Sequence, residues 1–230
     1  MIDPQSGYSI KKFENLRGLL TESLLGIIQS TKIHLSSDGG VLTESQIFSL
    51  LLTNHEIFKE KKARIFPHSE ARSIVPHILD WARNYSENCD FITDEENLGY
   101  PNVYIRVVRA LHNEDVGPMH ADKWFWDLGS LPFPKTHRRL KVWAPLLQND
   151  AKPALKIYPA SHTMTFDYEG QRGSDGKMRP ILNCPSISNC VVRAPVKVGE
   201  CIVFHDSLLH GGAVDNSNRI SVEFTLAIKN

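Results

Sequence analysis

The chain has 230 residues, long enough for one large domain or two small ones with a sizeable buried core. Hydrophobic residues make up 41% and charged residues 23%, ordinary proportions that exclude a disordered or fibrous chain. Lys+Arg and Asp+Glu balance at 26 each, so no net field draws the protein toward nucleic acid or an anionic membrane surface.

The opening stretch, MIDPQSGYSIKKFENL, has no apolar run of signal-peptide type, and no later run is long enough to cross a bilayer. A cytoplasmic protein is expected. Cys89, Cys184, Cys190 and Cys201 follow no CxxC pattern, and reduced structural thiols are the expectation over a short Cys184–Cys190 loop disulfide.

Residues 1–98 read as a helical support region. Across 11–30, Phe13, Leu16, Leu19, Leu20, Leu24 and Ile27 fall near the 3.6-residue period. The stretch 43–61 opens with Thr43 and has Gln46 three residues later, a capping-box start. In 73–85, Ile74, Ile78, Trp81 and Ala82 share one side, with Pro76 tolerable only near the first turn. His34, His55, His68 and His77 read as ordinary surface or half-buried residues.

From about Tyr100 the period shifts from 3.6 to 2. Residues 102–112, 138–147, 154–159, 200–206 and 219–228 read as strands. In the last of these, Arg219, Ser221, Glu223, Thr225 and Ala227 face one way, and Ile220, Val222, Phe224, Leu226 and Ile228 the other. An apolar outer face against helices and a polar inner face describe a barrel or sandwich with an occupied interior. The fold class is therefore mainly β with N-terminal helices, a jelly-roll of cupin-like type over 99–230 within one domain.

The stretch GPMHADKWFW, residues 117–126, puts His120 and Asp122 two residues apart, on one face if the chain there is extended. Downstream, His205 and His210 compete to be a third ligand. His210 is preferred, because it stands at a strand end before Gly211 and Gly212, which would let a cofactor approach closely. Two histidines and a carboxylate leave one face of an octahedral metal open, as non-haem Fe(II) needs, although zinc hydrolases use the same ligands. Arg219 stands nine residues beyond His210 with Ser221 on its face, a pair suited to gripping a carboxylate, unless Glu223 neutralises the arginine internally.

These motifs, with LKVWAPLLQND, LKIYPASH and VGECIVFHDSLLHGG, resemble the phytanoyl-CoA dioxygenase-like branch of the Fe(II)/2-oxoglutarate-dependent oxygenases over about 104–227. The resemblance implies a double-stranded β-helix core. It implies iron held by His120, Asp122 and His210, with 2-oxoglutarate anchored by Arg219 and Ser221 and lined by Trp143. Arg106 or Arg109 would contact cosubstrate or substrate, at most one of them pointing inward because their parity differs. Ala160 stands where the family usually has glycine, and His162 in the same turn reads as structural. Dioxygen is the third reactant implied, and Asp122 favours hydroxylation over halogenation, since halogenating relatives have a small residue there.

The substrate is less legible. Lys123, Trp124 and Trp126 follow the metal motif, either as substrate contacts at the mouth or, for the aromatics, as packing under a loop. Residues 167–190 form a long aperiodic stretch of lid or binding-loop character, with Arg172, Lys177 and Arg179 as basic residues. A small polar metabolite is the expected substrate. Two other readings stand beside this one: a cupin-type metalloenzyme that needs no inward arginine, and a non-catalytic jelly-roll binding module.

Overall fold

The computed structural model describes residues 1–30, 42–60, 62–129, 132–150, 152–173, 176, 178–183 and 185–230. His34, Lys177 and Cys184, and with Cys184 the question of a Cys184–Cys190 bridge, lie outside the described residues. Strand β1 (Tyr8–Lys12) leads into α1 (Glu14–Ser30), α2 (Glu44–Thr53) and α3 (His68–Arg83). Then follow β2 (Cys89–Ile92), β3 (Tyr104–Val108), α4 (Asp122–Gly129), β4 (His137–Gln148) and β5 (Leu155–Ile157). The chain ends with β6 (Tyr168–Arg172), β7 (Met178–Leu182), β8 (Val192–Arg193), β9 (Glu200–His205), β10 (His210–Gly212) and β11 (Arg219–Lys229).

The strict alternation in β11 makes it the spine of the large sheet, whose order is β1-β9-β4-β11-β2, with β3 also on β11. Every pairing is antiparallel. Ile220, Val222, Phe224, Leu226 and Ile228 meet Leu140 and Val142 of β4 on the outer face, where α1 and α3 cover them with Leu20, Leu24, Ile74 and Ile78. The helices thus bury the apolar face, as the patterning predicts. A smaller antiparallel sheet, β10-β5-β8, covers the inner face, and Leu155, Ile157 and Ala194 pack there on Trp143, Ile202 and Phe204. Antiparallel sheets with helices on one face match a cupin-like fold.

The N-terminal half departs from expectation in two places. Residues 8–12 form β1, paired to β9 from Tyr8↔Phe204 to Lys12↔Glu200, so the first helix begins only at Glu14. Gly199 precedes β9 at φ +90°, a left-handed conformation that glycine adopts without strain. Helix α3 starts at His68, which leaves Pro76 in its interior rather than its first turn. The capping box at the start of α2 is present in full, Thr43 Oγ1 accepting from Gln46 N and Gln46 Oε1 accepting from Thr43 N.

The stretch 167–190 is not an aperiodic loop. β6 and β7 form a hairpin from Tyr168↔Leu182 to Arg172↔Met178, and Tyr168 stacks on Trp124 of α4 at 4.5 Å. Among the described residues, no helix is long and apolar enough to cross a membrane.

Candidate active site

The two histidines meet through backbone pairing. His120 N donates to His210 O and His210 N donates to His120 O, both at 2.9 Å, an isolated antiparallel bridge that extends β10. The imidazoles sit 4.5 Å apart between ring centroids. Asp122 is the first residue of α4 and not part of a strand, so it is the helix turn, rather than an extended i, i+2 geometry, that brings its carboxylate to the histidines. Its Oδ1 lies 3.7 Å from His120 Nε2 and its Oδ2 3.7 Å from His210 Nε2.

These groups fit a metal ion. One donor atom from each of His120, Asp122 and His210 lies within 4.8 Å of the others. His120 Nδ1 is 2.8 Å from Pro118 O and His210 Nδ1 is 3.0 Å from Leu208 O. A carbonyl oxygen only accepts, so each Nδ1 carries the proton and each Nε2 keeps its lone pair for the shared centre. Burial pushes the His210 imidazolium down to about 4 against the pull of Asp122, which keeps the ring neutral and able to ligate. Burial opposes ionisation of Asp122, but Lys141, His210 and His120 outweigh it and hold the carboxyl well below its usual range. Asp122 Oδ2 is buried and accepts no hydrogen bond among the described residues, an orphaned anion of the kind a cation satisfies. His205 is elsewhere, with its Nδ1 accepting from Ser207 N, while His210 lies with His120 and Asp122.

Arg219 is 3% exposed and donates through Nη1 to Ala213 O at 2.6 Å, while its Nε has no partner among the described residues. Burial pulls its guanidinium down to about 10, still charged. Glu223 does not neutralise it. Glu223 Oε1 accepts instead from Arg106 Nε at 3.0 Å and is ion-paired with Nη2 at 2.9 Å. Ser221 is buried on the same face of β11. Gly212 acts differently from the expectation of cofactor access, because a Cβ there would lie 2.5 Å from Val116 Cγ1 and 3.2 Å from Arg219 Nη2. Its missing side chain makes room for the guanidinium.

The parity argument resolves in favour of Arg106, which points inward from β3. Arg109 points away and is removed from the site: its Nε and Nη2 donate to Asp115 at 2.8 and 2.9 Å. Trp143 is buried in the inner core. Trp124 and Trp126 are packing residues rather than exposed substrate contacts. Trp124 lies under the β6–β7 hairpin, and Trp126 is covered by the Arg139 guanidinium at 4.7 Å and by Phe133. Lys123 is exposed and lines a surface cavity of about 210 Å³ with Arg138, Arg139 and Asp206, a cavity to which no triad residue contributes. Phe125, between the tryptophans, stands edge-on to His120 at 5.3 Å, a contact that helix phase alone would have separated from its neighbours. His162 is structural as expected, packed over Gly7 with Nε2 3.2 Å from Pro4 O.

Sequence reading missed the charged row beside the triad. Lys141 is buried on the inner face of β4, its Nζ 3.8 Å from Glu95 Oε1 and 4.0 Å from Asp122 Oδ2. Burial works against the ammonium, but Asp122, Glu95 and Glu223 raise its pKa and keep it charged. Glu223 is held down to about 2 by Arg106 and Lys141 in spite of burial. The signal was available: in β4, Arg139, Lys141 and Trp143 alternate with Leu140, Val142 and Ala144.

No curated protein sequence matches the chain. Among solved structures, the non-heme monooxygenase ThoJ in its apo form aligns with a TM-score of 0.57 at 15% identity, covering 98% of this chain and 75% of that one. EctD from S. alaskensis with bound Fe gives 0.54 at 14%, covering 97% and 73%. EvdO2 from Micromonospora carbonacea var. aurantiaca gives 0.53 at 15%, covering 100% and 92%. At such identities the shared property is the fold. The profile of the phytanoyl-CoA dioxygenase (PhyH) family matches residues 98–220, more than half of the chain and the span from β3 to the start of β11. A match of that extent, over the segments that bring His120, Asp122, His210 and Arg219 together, places the chain in the phytanoyl-CoA dioxygenase (PhyH) family.

Proposed function

We propose that this protein is an Fe(II)- and 2-oxoglutarate-dependent dioxygenase that hydroxylates a C–H bond of a small polar metabolite, on a double-stranded β-helix core within a single domain of residues 1–230. The observation that carries the reading is the pairing of a two-histidine, one-carboxylate triad with Arg219, a buried guanidinium whose Nε has no partner among the described residues. His120, Asp122 and His210 hold the metal. Arg219, with Ser221 beside it, takes the distal carboxylate of 2-oxoglutarate, and Trp143 packs behind that pocket. Arg106 stays tied to Glu223 and sets the charge of the chamber wall. Family membership and relatives such as EctD, solved with 2-oxoglutarate and 5-hydroxyectoine, support iron, 2-oxoglutarate and dioxygen as the cofactor set.

When bound, iron with 2-oxoglutarate and dioxygen supplies the oxidising power: RH, 2-oxoglutarate and O2 give ROH, succinate and CO2, one oxygen atom going to each organic product. The chain's own residues position and exclude. The carbonyl groups of Pro118 and Leu208 fix the tautomer and orientation of the two imidazoles. Lys141 lies beside Asp122 and favours its ionised form, so no proton competes for its ligating oxygen. Phe125 and Phe204 flank the two imidazoles and shield them from bulk water.

The test is anaerobic addition of Fe(II) and then 2-oxoglutarate to metal-free protein, followed by the visible charge-transfer band of the chelated cosubstrate. The band is expected in the wild type and absent in His210→Ala. Arg219→Ala should need roughly 10- to 100-fold more cosubstrate, the loss of charge-assisted hydrogen bonds to a carboxylate. Metal binding without a band at any cosubstrate concentration would favour a cupin-type enzyme that uses no 2-oxoglutarate.

A further inference from the structure

Resting on the oxygenase reading, we infer that Lys141 and Glu95 form the substrate-recognition pair of the chamber, and that the group they hold is an uncharged hydroxyl of a polyol or sugar-like small molecule. Lys141 is 5% exposed, yet its ammonium donates no hydrogen bond among the described residues. The nearest oxygens, Glu95 Oε1 at 3.8 Å and Asp122 Oδ2 at 4.0 Å, are out of hydrogen-bond reach. The ammonium lies over the Tyr104 ring at 5.6 Å, and its N–H donors, without an acceptor among the described residues, are open to a bound molecule. Glu95 is half satisfied. Its Oε1 accepts from the hydroxyls of Thr93 and Thr225, and its Oε2 takes no hydrogen bond among the described residues.

An ammonium with open donors beside a carboxylate with an open oxygen matches a group that both accepts and donates. A hydroxyl does both. Charge favours the same answer. Lys141 and Glu95 already offset each other, so a neutral group adds no net charge at the pair. An acidic group held by Lys141 would add a negative charge beside Glu95, and an amine held by Glu95 a positive one beside Lys141, either leaving a net charge there. Because Lys141 Nζ is 4.0 Å from the ligating oxygen of Asp122, the hydroxyl it holds is next to the metal position. The C–H bond attacked is then on the hydroxyl-bearing carbon or its neighbour.

The experiment uses anaerobic protein loaded with Fe(II) and 2-oxoglutarate and reads proton relaxation of small molecules, which quickens for those bound near the paramagnetic metal. One pool holds neutral compounds (glucose, N-acetylglucosamine, myo-inositol, ribitol), the other their acidic counterparts (glucuronate, gluconate, glucose 6-phosphate). At least one neutral member should relax faster with wild-type protein. Its binding should weaken about tenfold or more in both Lys141→Met and the isosteric Glu95→Gln, and in Glu95→Gln the cosubstrate band titrates within about threefold of wild type. Relaxation confined to the acidic pool, or in neither pool, overturns the inference. So does neutral binding that survives in Glu95→Gln, or a Glu95→Gln protein whose main defect is in cosubstrate affinity. A wild-type protein that forms no band sinks the oxygenase reading, and the pair with it.

Discussion

Single side chains in the chamber are held by charge more than by packing. Arg106 and Glu223 face each other across β3 and β11, and Glu223 is the deeper of the two, with a side chain 14% exposed against 38%. Removing the guanidinium would leave a buried carboxylate without its main counter-charge, a far costlier state than the pair itself. Arg106→Met is therefore expected to lower stability by about 1–2 kcal/mol, less than for a fully buried pair because Arg106 is partly exposed, and the double variant Arg106→Met/Glu223→Met to recover most of that loss. Chemical denaturation of the three variants and the wild type measures both numbers, and additive losses would contradict the pairing. Arg109 behaves differently because its Nε and Nη2 are both taken up by Asp115. Arg109→Ala should leave the cosubstrate titration unchanged.

Whole elements decide where the ligands go. The reciprocal backbone bonds between His120 and His210 fix one histidine opposite the other, and the start of α4 then swings Asp122 between them. The turn at Ala160, which holds φ +64° where a glycine would be unstrained, carries Ser161, whose Oγ accepts from Leu209 N at 2.8 Å. That bond anchors the residue before His210. Further from the site, the Thr43–Gln46 capping box satisfies donors at the exposed start of α2. Thr43→Ala should cost about 1 kcal/mol without altering the charge-transfer band, which equilibrium denaturation and the anaerobic titration check together.

For the whole molecule, acid is the vulnerable direction. Glu223 is held down to about 2 from an ordinary 4.5, so its contribution is present above 4.5 and is lost as pH falls toward 2. His210 is pushed down to about 4 from 6.5, so the unfolded chain takes up a proton first, and stability drops as pH falls from 6.5 to 4. Both signs agree. The metal-free protein should lose thermal stability progressively from about pH 6.5 downward, and Glu223→Gln should flatten the lower part of that curve in scanning calorimetry.

Much of this protein was legible in its residues because the relevant physics is local. The unbroken alternation from Arg219 to Ile228 determined a strand with one apolar and one polar face, and the helical period of 11–30 determined what would cover it. The candidate triad and Arg219 could be proposed from sequence because His120 and Asp122 are two residues apart, Arg219 is nine beyond His210, and the residue types are chemically particular. The strand β1, the β6–β7 hairpin and the helix under Trp124 were not. Each is short, and what stabilises it is a partner distant in sequence: β9 for Tyr8–Lys12, and α4 for Tyr168. The same holds for charge. Sequence placed Lys141, Glu95, Arg106 and Glu223 on separate segments with no reason to meet. Only the pairing of β3 and β4 with β11, and the burial it imposes, turned four ordinary ions into a chamber wall, because a charge taken from water must find its partners in space.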